Sequence, residues 1–447
     1  MKMNKIFPVV LILAGTFFAS CTNEEDDLFD QSAAQRLNEA STKYTQLIAS
    51  GNGKWAMEYY PTSSSNKYTG RGYLMACEFK PDLSVSIGMS NLFSGNAYRE
   101  ASSNWQVITD DGPVLSFNTY NANLHQFSTP EDLPYTSDNE QGTGVGGDYE
   151  FVITDAPEDH SFIMLKGKKR GTYDRLTPIP DSTTLQAYIT DVQNFRDRIF
   201  VDGAPNPQFM MLGADSMQLD SAFTGIMRIF PIGTDAITTQ TLHPFLFTKR
   251  DGNYYLRFRD AISYGDGKTV QEFRYDASDD RFVSDDDAAT YIAGFDPVVF
   301  FYREYDGGHS LRFQRSSSMS DGFAALYDAV VEKFNSFRYT VTDFQILKSS
   351  DTDAVIRLRY RDSRKRTVAV NYNYTLSRSA KGMTLTYVGG ATTPADNLLN
   401  TVPELKTFLD AFSGETLISA GTTAFNLSSF RLTSASDANI WVVADLN

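Results

Sequence analysis

The sequence contains few of the residues that bind metals or form disulfides. Its 447 residues include 2 Cys and 4 His, which leaves little room for a zinc ribbon, an iron–sulfur centre or a disulfide scaffold. No two histidines are close enough in sequence to form an H-x-x-x-H or H-E-x-x-H zinc motif. The G-x-G-x-x-G spacing at residues 142–147 is followed by a predicted strand, whereas a dinucleotide-binding fold needs a helix there. We therefore expect no metal centre and no cofactor.

Positive charge is also scarce. The chain has 40 Lys and Arg against 55 Asp and Glu, which gives a formal net charge of −15. Because Lys and Arg supply most of a protein's affinity for phosphates, we expect no nucleic-acid partner. A G-x-S-x-G elbow is missing as well, so a common serine hydrolase has no support. Carboxylates are numerous enough to pair by chance, and their number alone does not indicate a glycosidase.

The N-terminus has the features of a lipoprotein signal peptide. Two lysines precede an apolar run over residues 9–18, which is shorter than the ~20 residues of a membrane-spanning helix. Two small residues then precede Cys21, as in a lipobox. We predict a signal peptide at residues 1–20. We also predict lipidation of Cys21, with palmitate among its acyl chains, which anchor the protein to a membrane.

An acidic tether is predicted at residues 21–32. Its acidic run resembles the export signal that sends Bacteroides-type lipoproteins to the outer face of the outer membrane. We therefore expect an outer-membrane lipoprotein that faces the cell exterior. Once Cys21 is acylated, Cys77 has no partner in the chain, so we interpret Cys77 as a small core residue.

Apolar periodicity predicts the fold class. Four segments have apolar residues at spacings of three and four, which is typical of amphipathic helices: Ala33–Ile48, Leu185–Ile199, Phe323–Phe334 and Thr401–Phe412. Most of the chain between them alternates with a period of two and is interrupted by Asp/Gly-rich turns, which favours antiparallel meanders. The prediction is a mainly β (α+β) fold of antiparallel β-meander units, each preceded by an amphipathic helix.

This order predicts three domains after the tether. We expect an N-terminal helix plus β-meander domain at residues 33–180 and a middle helix plus β domain at 181–320. A C-terminal helix plus β domain follows at 321–447, with a sub-boundary near residue 395. The units share no visible sequence identity, so the repeat is one of architecture.

Five candidate ligand-binding residues are aromatic or carry an imidazole. Trp and Tyr offer a pyranose ring an apolar face with a polar edge, but strands use the same residues to build a core. A histidine in this context serves as a ligand or base, or as a hydrogen-bonded strand residue. The candidates are Trp55, Tyr59, Tyr60, Trp105 and His125.

Three arginines form a second candidate site. Arg357, Arg359 and Arg361 alternate with apolar residues, which places their side chains on one face of a predicted strand. Such a face can hold carboxylates or sulfates through bidentate hydrogen bonds. The alternative is an exposed hairpin face whose charge is balanced by nearby acids.

The N-terminal half resembles a known family. The strings that carry the resemblance occur in the order Gly53–Pro61, Gly72-Tyr73, Pro113–Asn121 with Leu124-His125, Gly146–Phe151 and Leu165–Lys169. They are similar to a family of Bacteroides-type surface lipoproteins called domain of unknown function 4302. The resemblance implies association with a SusC/SusD-like uptake system, with a TonB-dependent transporter and a SusD-like lipoprotein as partners. It supplies no catalytic residues.

Two classes of function remain at this point. The first is a non-enzymatic surface lipoprotein, an accessory component of a SusC/SusD-like nutrient uptake system that captures a glycan or peptide ligand. The second is a surface hydrolase of the glycosidase type, which uses paired carboxylates in a cleft. We favour the first, because the catalytic motifs considered above are absent.

Overall fold

The computed structural model describes residues 32–61, 71–110, 112–129, 145–199, 208–223, 225–303 and 310–447. The predicted signal peptide, Cys21 and the tether up to residue 31 lie outside these described residues. Within the described ranges, no helix is long and apolar enough to cross a membrane.

The first unit consists of a helix and a nine-stranded antiparallel sheet. Helix α1 (Ala33–Ile48) begins at a capping box, in which the Ser32 hydroxyl accepts from the backbone N–H of Gln35. It packs against two neighbouring strands of the sheet, β5 and β6. The strands are β1 (Lys54–Tyr60), β2 (Tyr73–Phe79), β3 (Ser84–Met89), β4 (Arg99–Asn104), β5 (Gln106–Asp110), β6 (Gly112–Ser116), β7 (Glu150–Asp155), β8 (Ile163–Gly167) and β9 (Tyr173–Pro178). Their order in the sheet is β4-β3-β2-β1-β9-β8-β7-β6-β5.

The second unit is a closed eight-stranded antiparallel barrel. Helix α2 (Leu185–Ile199) precedes it, and the four-residue helix α3 (Ala236–Thr239) lies between its third and fourth strands. Each strand pairs with its neighbours in sequence, and the last pairs with the first. The strands are β10 (Gln208–Leu212), β11 (Asp215–Phe223), β12 (Ile226–Pro231), β13 (Thr241–Arg250), β14 (Asn253–Tyr264), β15 (Lys268–Asp276), β16 (Arg281–Val283) and β17 (Tyr291–Ala293).

The third unit is a second closed eight-stranded barrel, reached through helix α4 (Pro297–Arg303). Its helices are α5 (Asp321–Ser336), α6 (Thr393–Thr401) and α7 (Pro403–Asp410), and α5 packs against α7. The strands are β18 (Leu311–Phe313), β19 (Thr340–Lys348), β20 (Asp353–Arg361), β21 (Thr367–Arg378), β22 (Gly382–Gly390), β23 (Gly414–Ala420), β24 (Ser429–Ser434) and β25 (Trp441–Leu446).

The predicted mainly β fold of antiparallel meanders is confirmed, with one difference in the third unit. Strand β18 comes before helix α5, yet it pairs with β19 and β25. The third barrel therefore begins before residue 321. The sub-boundary predicted near residue 395 falls within α6. This helix lies in sequence between β22 and β23, which are paired strands of the same barrel.

Apolar periodicity correctly identifies which side chains are buried in helix α2, whereas in α1 only Leu47 and Ile48 of the predicted stripe are buried. In α2 the buried residues are the six that form its apolar stripe, Leu185, Tyr188, Ile189, Val192, Phe195 and Ile199. Cys77 is buried in the first unit, as predicted. The second and third units also share packing, because Phe425 joins the second barrel's core with its ring 5.5 Å from that of Phe282.

Candidate functional site

Helix α2 lies at the junction of the first and second units. It packs against β2 and β3 on one side and β13 on the other. The Tyr188 hydroxyl donates to the backbone carbonyl of Lys249 at 2.9 Å. Asp191 accepts from the Lys249 ammonium at 2.7 Å and from the Tyr254 hydroxyl at 2.8 Å. These bonds fix the helix, and so its remaining side chains, in one position relative to the second unit.

A cleft of ≈ 210 Å³ opens at this junction. Its lining residues come from the start of β2, the loop after β3, helix α2 and the β12–β13 region. They are Arg71, Gly72, Tyr73, Leu74, Ser90, Asn91, Leu92, Asn96, Ile189, Val192, Gln193, Arg196, Gly225, Phe245, Leu246 and Phe247. The cleft is therefore built from four separate parts of the chain and belongs to neither unit alone.

The lining of the cleft is amphipathic and includes cationic side chains. Buried apolar side chains such as Phe245 and Val192 form part of its wall. Two guanidinium groups, Arg71 and Arg196, line it together with side-chain amides, and none of the described lining residues is Asp or Glu. Guanidinium groups in a partly apolar wall favour a carboxylate, sulfate or phosphate.

Close backbone approach shapes the cleft at a glycine. A Cβ built on Gly72 would lie 2.6 Å from the backbone oxygen of Phe245 and 2.7 Å from a ring carbon of Tyr60. Neither contact is sterically possible, and the first one, to the Phe245 backbone, could be relieved only by a shift of the first unit away from the second. Gly72 therefore permits the two units to meet at the edge of the cleft.

A buried ionic network joins the same two units. Glu58 and Arg175 from the first unit meet Arg250, Arg257 and Glu272 from the second. Glu272 Oε2 accepts from Arg250 at 2.6 Å and from Arg175 at 3.2 Å, and lies 3.5 Å from Arg257. Glu58 is fully buried, with Oε2 3.0 Å from Arg257 Nε, although neither atom makes a well-aligned hydrogen bond. We call this set the junction network.

The two glutamates of the network have opposite pKa shifts. Burial raises the pKa of Glu58 above its ordinary value, and the charge of Arg257 offsets this only in part. Burial also acts to raise the pKa of Glu272, but the hydrogen bonds and charge of Arg250, together with the charges of Arg257 and Arg175, outweigh it and the pKa is lowered. Glu272 is thus the ionised centre of the network, held by three arginines.

The predicted aromatic candidates lie in the interior. Trp105 and Tyr59 are fully buried and Trp55 is nearly so, within the core of the first unit. The Trp55 indole N–H donates to the carbonyl of Ile48 at 2.8 Å. Tyr60 is buried at the junction, where its hydroxyl donates to the Arg257 carbonyl at 3.1 Å. None of these four rings faces solvent, and none lines the cleft.

His125 lies in a single 3₁₀ turn, and the expectation of a strand position was wrong. Its Nδ1 accepts from the backbone N–H of Asn121 at 3.0 Å. Burial lowers the pKa of His125, and backbone hydrogen bonds at Asn121 and Phe117 offset this only in part. The ring stacks on exposed Tyr149 with centroids 4.6 Å apart, and Tyr120 lies at 5.3 Å. His125 is thus part of a small surface aromatic group that is separate from the cleft.

The three predicted arginines lie on one outward face of β20, as their alternation predicts. The inward-facing residues between them, Leu358 and Tyr360 among them, are buried. This face belongs to the third barrel, so Arg357, Arg359 and Arg361 do not contribute to the cleft.

Sequence reasoning did not single out the two cleft arginines. Arg196 follows Ile189, Val192 and Gln193 at helical spacing, so the period places these side chains on one helix face. The helical spacing places Arg196 at the edge of an apolar stripe, but it does not identify the strands that pack against that stripe. Arg71 is brought to the helix by tertiary packing, which has no local signature.

Comparisons with known proteins give a family and little else. No curated protein matches the chain significantly. Among solved structures, the crystal structure of the beta subunit from DNA polymerase of Streptococcus pyogenes aligns over 91% of this chain and 97% of that chain. The identity is 8% and the TM-score 0.13, so this likeness supports no inference.

A family model, by contrast, matches residues 25–277, more than half of the chain. The matched range contains every residue of the cleft and of the junction network. This chain therefore belongs to the family described as Domain of unknown function (DUF4302).

Proposed function

We propose that this protein is a non-enzymatic surface lipoprotein that captures a small, partly apolar anion in the cleft between its first two units. The observation that supports it best is the lining of the cleft, with two guanidinium groups and no carboxylate among its described residues. A volume of ≈ 210 Å³ is below the roughly 300–1,000 Å³ of a drug-sized pocket. The site therefore suits one ring or a short chain, or the acidic end of a larger glycan or peptide.

A carboxylate-based hydrolase has less support at this site. Glycosidases need two carboxyl groups roughly 5–10 Å apart across the scissile bond. The described lining residues of the cleft supply neither of them. Capture without cleavage is the chemistry that fits this lining.

The biological setting that we propose is nutrient uptake at the outer membrane. Lipid on Cys21 would hold the protein at the cell exterior, as an accessory to a SusC/SusD-like system with a TonB-dependent transporter. The lipobox and the acidic run that follows it support this setting.

Lipidation has a direct test. In a Bacteroides-type host, the wild-type protein should incorporate a palmitate analogue, sediment with outer membranes and be digested by protease added to intact cells. Cys21→Ser should lose the label and the membrane association, because one thiol carries the anchor. Cys77→Ser is the matched control and should keep both, since Cys77 is buried. Unchanged labelling of Cys21→Ser would contradict the anchor.

Ligand capture is tested by a screen that follows binding and chemistry together. Small sugar acids, sulfated sugars, short acidic peptides and neutral sugars are added to the purified protein, with thermal unfolding and mass spectrometry read in the same wells. We expect at least one anion to raise the unfolding temperature and to be recovered intact, because a ligand at 100 times its Kd stabilises the folded state by about 2.7 kcal/mol. Cleavage products would overturn the proposal, as would stabilisation by neutral sugars alone.

A further inference from the structure

The outer face of the third barrel carries a row of arginines that the cleft does not use. Arg357, Arg359 and Arg361 are half-buried to exposed on β20. Because they occupy alternate positions of the strand, they are spaced by about 6.8 Å along it. Arg312 on β18 joins them, since it pairs with Gln345, which pairs in turn with Arg357. We call these four residues the arginine row.

One buried carboxylate orients half of the row. Asp343 is fully buried and accepts from Arg359 Nε at 2.8 Å, with a second bond from the same guanidinium. Its other oxygen also accepts from Arg312 Nε at 3.1 Å. A carboxylate shared by two guanidiniums fixes their planes while leaving a net positive charge.

The other half of the row has donors to spare. Arg357 donates through Nε to the Asn371 side chain at 2.9 Å, and among the described residues its two terminal amino groups have no further partner. Arg361 is exposed at the end of the strand and has no ion-pair partner among the described residues. On β18, β19, β20 and β25 the acids of this face are Asp343 at its centre, Asp445 opposite Arg312 at its margin and Asp353 at the start of β20. Four positive charges therefore face three negative ones.

We propose that the arginine row binds an anionic polysaccharide through sulfate or carboxylate groups on successive sugars. The β20 arginines are evenly spaced along one strand, and evenly spaced positive charges suit a ligand with repeated negative charges. The cross-strand neighbours of the β20 arginines on β21 are Asn371, Ala369 and Thr367, none of them aromatic. Single-stranded nucleic acid is disfavoured, because its binding uses rings for base stacking. The row lies outside the DUF4302 match and is independent of the cleft.

The test measures binding of the full-length, detergent-purified protein to immobilised polyanions. Heparin presents sulfates and polygalacturonate presents carboxylates, and dextran is the neutral reference. The variant Arg357→Gln/Arg361→Gln removes two charges and leaves the bridge between Asp343 and Arg359 intact. Lys381→Gln/Lys406→Gln is the matched control, because it removes two exposed positive charges elsewhere on the same barrel.

The expected result has three parts. Wild type binds heparin or polygalacturonate but not dextran, with affinity that falls as salt is raised. The arginine variant weakens binding at least tenfold, and the lysine control changes it by less than twofold at an unchanged unfolding temperature. Equal weakening by both variants, no binding to either polyanion, or tighter binding to single-stranded DNA or to anionic lipid vesicles would overturn the proposal.

Discussion

Replacement of Glu272 by Ala is expected to lower the free energy of unfolding by about 3 kcal/mol. Glu272 is the acceptor for Arg250 and Arg175 and lies beside Arg257, all three at least four-fifths buried. Without it, three guanidiniums remain in the junction against Glu58 alone. Removal of one partner from a buried ionic network costs about 3–5 kcal/mol, and the 21% exposure of the Glu272 side chain favours the lower end of that range.

Denaturant unfolding of the full chain measures this cost. Asp266→Ala is the matched control, because it removes one negative charge from an exposed turn of the same barrel and should cost less than about 0.5 kcal/mol. A loss below about 1 kcal/mol for Glu272→Ala would show that the network does not hold the two units together.

The pH dependence of the junction follows from the same residue. The folded-state pKa of Glu272 is lowered, so its contribution to stability is present above its unfolded pKa of about 4.3 and is lost as pH falls through the folded value. Glu58 acts in the opposite direction: its raised pKa gives a contribution that is present at low pH and lost as pH rises. The stability difference between wild type and Glu272→Ala should therefore shrink below pH 4.

Replacement of Trp105 by Ala should destabilise the first unit by about 3–5 kcal/mol, the range for a large aromatic side chain removed from a core. Trp105 is fully buried, and its ring centroid lies 5.0 Å from that of Phe79. Trp105→Phe should cost much less. The indole N–H has no hydrogen-bond partner among the described residues, so its removal relieves an uncompensated buried donor and offsets part of the lost volume.

The Trp105 pair distinguishes a core role from sugar stacking. Both variants are compared by denaturant unfolding and by titration with the anion found in the screen. We expect Trp105→Phe to bind within twofold of wild type, because Trp105 does not line the cleft. Loss of binding at unchanged stability in Trp105→Phe would restore the ligand role that the sequence suggested.

Local periodicity explains what the sequence predicts well. The apolar stripe of α2 and the alternation of β20 depend on residues near one another in the chain, and both are confirmed. The interior position of Trp55 and Tyr59 could not be read in this way. Strand β1 is buried on both faces, with the first unit's core on one side and the second unit on the other. Alternation of apolar and polar residues identifies the buried face only of a strand whose other face is exposed, and β1 has no exposed face.

The cleft was not predictable, for a related reason. Its arginines come from segments more than a hundred residues apart, and neither carries a local pattern that indicates binding. The start of the third barrel before residue 321 also has no local signature in the sequence. Strand β18 is three residues long, and its place in the barrel depends on pairing with β25, more than a hundred residues later in the chain.

The most direct test of the central claim is a calorimetric titration of the best anion against two variants of one helix. Arg196→Gln removes a guanidinium that lines the cleft. Arg198→Gln removes an exposed one two residues later that lies over the Phe195 ring. A charged hydrogen bond contributes about 1.5–3 kcal/mol, so Arg196→Gln should weaken binding at least tenfold and Arg198→Gln less than twofold. Equal affinities of the two variants would contradict capture of an anion in this cleft.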